Sequence, residues 1–282
     1  MLDTIRQFRE FVPATVELII VDQTLDVPKP IADEMTMLDA NGSIRWLRLP
    51  KPSIPAAMNC GLLAASGEIV LFLDDDIELD GSLVPAHVAA QKDAALVAGQ
   101  VLQPGEFPLR LRPGEKFHFC SDTKRWISEF MGGNFSVSRT KALALGGFDE
   151  NFLGAAFRFE AEFAHRYLRE NGKILFCPEA SIRHLRLSAG GTRAHGHHLR
   201  TAKSAHSVGA YYYLMQVRPP HWFRKVFWRP IRSVRTRHHM RHPWWIPLTL
   251  LAEIRGFMRA TWLLARGPKL IRADRIPTRG HD

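Results

Sequence analysis

Cysteine is scarce in this sequence: Cys60, Cys120 and Cys177 are the only three among 282 residues. They lie far apart and are odd in number, which fits neither a disulfide framework nor a zinc site, so a reducing compartment is expected. Long apolar runs are missing too, and none reaches the ~18 residues a membrane-spanning helix needs. The first turns carry Asp3, Arg6, Arg9 and Glu10, which is not the pattern of a secretory leader. A cytoplasmic protein is the expectation. There is no internal repeat and no low-complexity tract, and an apolar fraction of 46% argues against disorder. Acidic residues run short only toward the C-terminus. Residues 1–220 hold 24 Lys/Arg and 25 Asp/Glu, whereas residues 221–282 hold 14 basic and 3 acidic residues. The net charge of +10 therefore resides in a tail, and such asymmetry asks for an anionic partner.

What is present is organised around Ile69–Leu73, an apolar run of strand length. It reads as a buried strand of a parallel sheet, and it ends in Asp74, Asp75 and Asp76. Ligand sites of open α/β sheets lie outside the carboxyl ends of strands. Three adjacent carboxylates repel one another unless a cation or water relieves them, and hard oxygen ligands suit Mg²⁺ or Mn²⁺. An acidic loop that merely closes a strand has the same sequence. Around this run, strands are expected at Val16–Val21, Ile44–Leu49 and Ala94–Leu102, the last broken by Gly99. Helices are expected at Thr4–Phe11, Ile31–Leu38, Ala56–Ala65 and Ser82–Asp93. The alternation predicts a doubly wound α/β domain with a mostly parallel sheet and helices on both faces.

Four further segments follow in order: Met58-Asn59, Gly132-Gly133-Asn134 leading to Gly146-Gly147-Phe148-Asp149, Phe159-Glu160-Ala161-Glu162, and His184. With the Asp run, this succession resembles the family 2 glycosyltransferases, whose fold is GT-A. The likeness covers roughly residues 16–184 and continues weakly to Arg193. It implies a glycosyltransferase domain over residues 1–200 that acts with inversion on a nucleotide-sugar donor. It also implies a strand and a helix ahead of Val16–Val21 that this sequence does not carry. The expectation is a chain that starts further upstream, or one that has lost part of its donor pocket.

Residue by residue, the likeness implies Asp76 and His184 as ligands of Mg²⁺ or Mn²⁺, with Asp74 and Asp75 on the donor nucleotide. Glu160 stands where the family has its catalytic Asp, so the base here would be Glu. Glu162, two residues on, cannot share its direction on a helix; one carboxylate can face the cleft while the other pairs with Arg166. Glu162 joins Gly132, Gly133, Asn134 and Trp126 on the implied acceptor side, although Trp126 fits a core position equally well. Asp22 and Gln23 occupy the place that touches the donor base; a carboxamide can pair with the edge of a uracil, thymine or guanine, but the two residues fit a turn cap as well. Asn59 stands where an Arg-Asn pair faces the diphosphate. Met58 replaces the Arg, and a structural role for Asn59 remains open. Arg193, after Gly190-Gly191, would reach the diphosphate from a closing loop.

Residues 201–282 form a basic, aromatic tail in which Leu248–Arg266 reads as one helix. Leu250, Leu251, Ile254, Phe257, Met258 and Ala265 fall on one broad arc, with Arg255, Arg259 and Arg266 beside it. Three roles suit it: peripheral contact with an anionic membrane surface at the inner face, packing on the catalytic domain, or contact with a second subunit. Nucleic acid is not expected, because the tail carries no reading motif. A glycan or a lipid-linked precursor is the expected acceptor. The rival functions are a nucleotidyltransferase of sugar phosphates, although no Gly-rich phosphate loop is visible, and a degenerate scaffold of the same fold.

Overall fold

The computed structural model describes residues 1–13, 15–112, 114–186 and 199–272. Its first half alternates helices and strands: α1 (Leu2–Phe11), β1 (Ile19–Asp22), α2 (Lys29–Ala40), β2 (Arg45–Arg48), α3 (Ile54–Ala64), β3 (Ile69–Leu73), β4 (Ile77–Glu78), α4 (Leu83–Ala90) and β5 (Leu96–Leu102). There follow β6 (Arg125–Ile127), β7 (Asn134–Ser138), α5 (Arg139–Ala144), α6 (Phe159–Arg169) and β8 (Ile174–His184). The C-terminal part is helical: α7 (Ser207–Val217), α8 (Trp222–Val234), α9 (Arg237–Arg241) and α10 (Ile246–Arg266).

The main sheet runs β3-β7-β5-β8-β4, with β6 on the first half of β8. The α/β class is as expected, and the pairing is mixed rather than mostly parallel. Only β5 and β8 run parallel in this sheet, because β7 inserts antiparallel to both β3 and β5. β5 is buried along its whole length, so it needs apolar residues on both faces. Leu96 and Ala98 join one core with Phe72, Phe135, Phe148 and Phe163, under α3, α5, α6 and α7. Val97 and Val101 join the other with Ile77, Leu83 and Ile182, under α1 and α4. The break at Gly99 is real: the β5/β8 register shifts between Gly99 and Gln100, and a side chain there would run into Asn134 and the Ala180 carbonyl.

β1 and β2 form a separate parallel pair, held by a small cluster of Ile5, Met35, Leu38 and Ile44. Among the described residues, β1 pairs only with β2, and β3 pairs only with β7. Their other edges border one open cavity of about 2300 Å³, lined by Ile19–Asp22 and Ile69–Asp76.

Residues 201–272 do not hang as a tail. Tyr211, Tyr212, Met215, Ala260 and Leu263 belong to the same buried cluster as the sheet. No described helix is long and apolar enough to cross a membrane.

Candidate active site

The Asp run leaves β3 at the mouth of this cavity. The Asp74 N–H donates to the Gly133 carbonyl at 3.2 Å, because antiparallel pairing sets Leu73 against Asn134 and so brings Gly133 opposite Asp74. β4 begins directly after Asp76, and its Ile77 pairs with His184 at the end of β8. That ladder, with Leu185 N–H donating to the Asp76 carbonyl at 2.8 Å, puts residues 76 and 184 side by side. His184 Nε2 lies 3.1 Å from Asp76 Oδ1 and 3.5 Å from Asp74 Oδ2.

One ligand atom from each of Asp74, Asp76 and His184 fits within a 4.8 Å group. Two carboxylates and an imidazole suit a divalent cation such as Mg²⁺ or Mn²⁺. The other imidazole nitrogen, Nδ1, is buried without a hydrogen-bond partner among the described residues. The donor set and its spacing therefore fit a metal ion. Asp75 lines the cavity without joining this group; it is exposed, and its carbonyl accepts from Thr4 Oγ1 at 2.6 Å.

Glu160 opens α6 and faces the same cavity. Burial pushes its carboxyl up to about 7; the charge of Asp74 adds to the rise, while the N–H groups of Glu160 itself and Gly132, and the Arg158 guanidinium, oppose it. A group that titrates near neutrality suits proton transfer. The two glycines explain how close these parts come. A Cβ on Gly132 would stand 3.2 Å from Glu160 Oε1, and one on Gly133 would run into the Asp74 carboxylate. Neighbouring Cα atoms are ~3.8 Å apart, so the acidic cluster and Glu160 rest on adjacent residues. Gly133→Ala should displace Asp74 and weaken Mn²⁺ binding at least ~10-fold, on the scale of disturbed metal-site geometry. Mn²⁺ titration followed by thermal shift checks this; an unchanged affinity would contradict it.

Other expected residues have different duties. Glu162, expected on the acceptor side, does not line the cavity. It is buried and clasps Arg166 through Nε at 2.7 Å and Nη2 at 2.8 Å, while Arg166 also donates to the carbonyls of Leu145 and Gly147. Asn59 does not line the cavity; it is 2% exposed and pairs with both backbone groups of Phe148 at 2.8 Å, holding the turn before Asp149. Asn134 is likewise a core residue. Its amide donates to Gln100 and Ala180, and its oxygen meets His87 Nε2 at 2.9 Å; burial pushes His87 down to about 4.

Trp126 sits at the far end of the sheet, on β6 opposite Leu175. The length of β5 separates that end from His184, roughly 20 Å at strand spacing. Asp22 and Gln23 do line the cavity, but their hydrogen bonds are those of a cap: Asp22 accepts from Thr24 N–H and Trp46 Nε1, and Gln23 from Ser53 N–H. Arg193 lies outside the described residues. Sequence reading passed over Arg158, Glu129 and Arg186, which also line the cavity. Arg158 adopts φ 75° just before α6 and pairs with Glu129 at 3.1 Å. Arg186, two residues beyond His184, was the more findable of the cations.

A model of Glycosyl transferase family 2 matches residues 2–161 of the chain. No curated protein matches it. Among solved structures, the crystal structure of GalNAc-T7 with UDP, GalNAc and Mn2+ is similar, with a TM-score of 0.51 and 18% identity. The match covers 64% of this chain and 39% of that one, so the chain spans well under half the length of this relative. At such identity the likeness is one of fold.

Proposed function

Because the chain belongs to glycosyl transferase family 2, we propose that its cavity moves a sugar, with inversion, from a nucleoside diphosphate donor to an acceptor hydroxyl. The observation that carries this reading is the shared cavity. Glu160, titrating near 7, and the Asp74, Asp76 and His184 group rest on neighbouring glycines. Glu160 accepts the proton of the acceptor hydroxyl. The acceptor oxygen then bonds to the anomeric carbon as the bond from that carbon to the donor phosphate oxygen breaks, and the diphosphate leaves with the electron pair. Asp76 and His184, with Asp74, would hold Mg²⁺ or Mn²⁺, which when bound supplies positive charge to the leaving diphosphate. The similar structure solved with UDP and Mn2+ supports that choice of partners. Arg186 lies at the cavity as a further cation, suited to phosphate oxygens. The transfer chemistry belongs to residues 1–200, and a glycan or lipid-linked acceptor is the acceptor class we favour.

The test is a panel of UDP-, GDP- and TDP-sugars with Mn²⁺, read as release of nucleoside diphosphate and as a thermal shift. Metal-dependent release with one donor supports the reading. Stabilisation by a donor without any release favours a binding scaffold. Release of pyrophosphate from a nucleoside triphosphate and a sugar phosphate would favour a nucleotidyltransferase.

A further inference from the structure

The sequence alone leaves open whether α10 buries its apolar arc on the rest of the molecule. Most of that arc stays exposed, although Phe257 touches Tyr211. α10 packs against α7 along a buried side that carries Ala252, Gly256 and Ala260. Gly256 makes the approach close: a Cβ there would run into Ser207, and Ser207 Oγ donates to the Ala252 carbonyl at 2.8 Å. Small residues take this contact, Leu263 is the one large apolar residue of the helix that is fully buried, and a stripe of other large ones is left outside. Ile254, Met258 and Trp262, one turn apart, are 57%, 64% and 54% exposed.

α8 repeats the arrangement. None of its residues is fully buried. Trp222 and Val226 lean on the core, and Arg229 pairs with Glu253 at 3.0 Å. The opposite side carries Phe223, Phe227 and Ile231, again one turn apart, at 70%, 66% and 46% exposure. Basic residues flank both stripes: Arg224, Lys225 and Arg232 on α8, and Arg255 and Arg259 on α10, all exposed. Single exposed apolar residues need no explanation, but two ordered stripes do.

Charge narrows the choice of partner. Between residues 199 and 272 the sole Asp or Glu is Glu253, which is 5% exposed and already paired. The outer surface of this helical layer therefore presents cations and aromatic rings and no carboxylate. A second copy of the same face would set cation against cation. An anionic bilayer surface meets both features at once: apolar side chains enter the acyl boundary while Arg and Lys meet the headgroups, and Trp suits the depth between them. Each basic residue near such a surface adds to the attraction.

We infer that the outward faces of α8 and α10 dock this protein on an anionic lipid bilayer, lying on it rather than spanning it. The inference rests on these two helices and not on the proposed transfer reaction. The test is flotation of the full chain with vesicles of phosphatidylcholine alone or with about one-third phosphatidylglycerol. The chain should float with the anionic vesicles only, and binding should weaken as salt rises. Substituting Phe223, Phe227 and Ile231 together by Ser should reduce bound protein at least ~10-fold while circular dichroism and melting stay unchanged, since these residues are exposed. Arg224→Gln, Lys225→Gln and Arg232→Gln together should do the same by a different route. No binding to anionic vesicles at low salt, or equal binding by wild type and the Ser variant, overturns the inference. So does a dimer that the Ser variant splits without any change in lipid binding, or binding to duplex DNA in place of vesicles.

Discussion

Glu160→Gln should leave donor binding intact and lower turnover by roughly 10²–10⁴, the usual contribution of a positioned general base. The exchange keeps the shape and removes the proton acceptor. The pH dependence should identify the group. As pH rises through about 7, where burial has pushed this carboxyl, it loses its proton and becomes able to take one. The kcat/KM of the wild type should therefore climb with pH, level off above about 7, and lose this limb in the variant. Stability should move the opposite way. A carboxyl raised in the folded state favours folding while protonated, so the wild type should lose stability as pH rises from its unfolded value through about 7. The variant has no such loss, so it should melt higher than wild type at pH 8 while turning over far more slowly. Glu162→Gln gives the contrast. It breaks a buried pair with Arg166 and should cost on the order of 3 kcal/mol of stability, with the pH limb retained. A limb that vanishes in the Glu162 variant and survives in the Glu160 variant would reverse the assignment.

Asp76→Ala should abolish the enhancement of nucleotide binding by Mn²⁺. Asp76 is 7% exposed and its carboxylate faces His184, so its removal takes one ligand and leaves the imidazole with only the more distant Asp74 carboxylate. The loss in Mn²⁺ affinity should be at least ~10-fold, since even disturbed outer-shell partners of a metal cost that much. Thermal shift with UDP, with and without Mn²⁺, measures it. Asp76→Asn keeps the volume and should give the same loss, which separates a missing ligand from a collapsed strand end. Mn²⁺ that still enhances UDP binding in both variants as in wild type would sink the metal assignment.

The strands and the acidic run were legible because their signal is local. Ile69–Leu73 is an unbroken apolar stretch, and the structure places β3 on the same five residues. His184 was findable only through the resemblance; its proximity to Asp76 arises from a ladder between residues 77 and 184. The roles of Asn59, Asn134 and Trp126 are hard to read for the same reason. Each is a polar or aromatic residue near a motif, and each takes its role from distant partners: Phe148 for Asn59, Ala180 and His87 for Asn134, and Leu175 for Trp126. α8 was readable and passed over. Phe223, Phe227 and Ile231 recur every fourth residue, with Arg224, Lys225 and Arg229 between them.

The small size of the cluster behind β1 and β2 has a consequence for how the molecule breathes. Ile5, Met35, Leu38 and Ile44 hold α2 and the β1/β2 pair, whereas β3 and its neighbours lie in two larger cores. Cooperative units with little buried apolar area open at lower free energy than the rest. Amide hydrogens of residues 19–22 and 45–48 should exchange through sub-global opening, well before those of β5. Asp22 and Gln23, on the cavity wall, belong to that looser unit, while Asp76 and Glu160 belong to the tighter one. A ligand that touches both walls would bind only the closed form, and by mass action it would slow exchange most in the N-terminal unit.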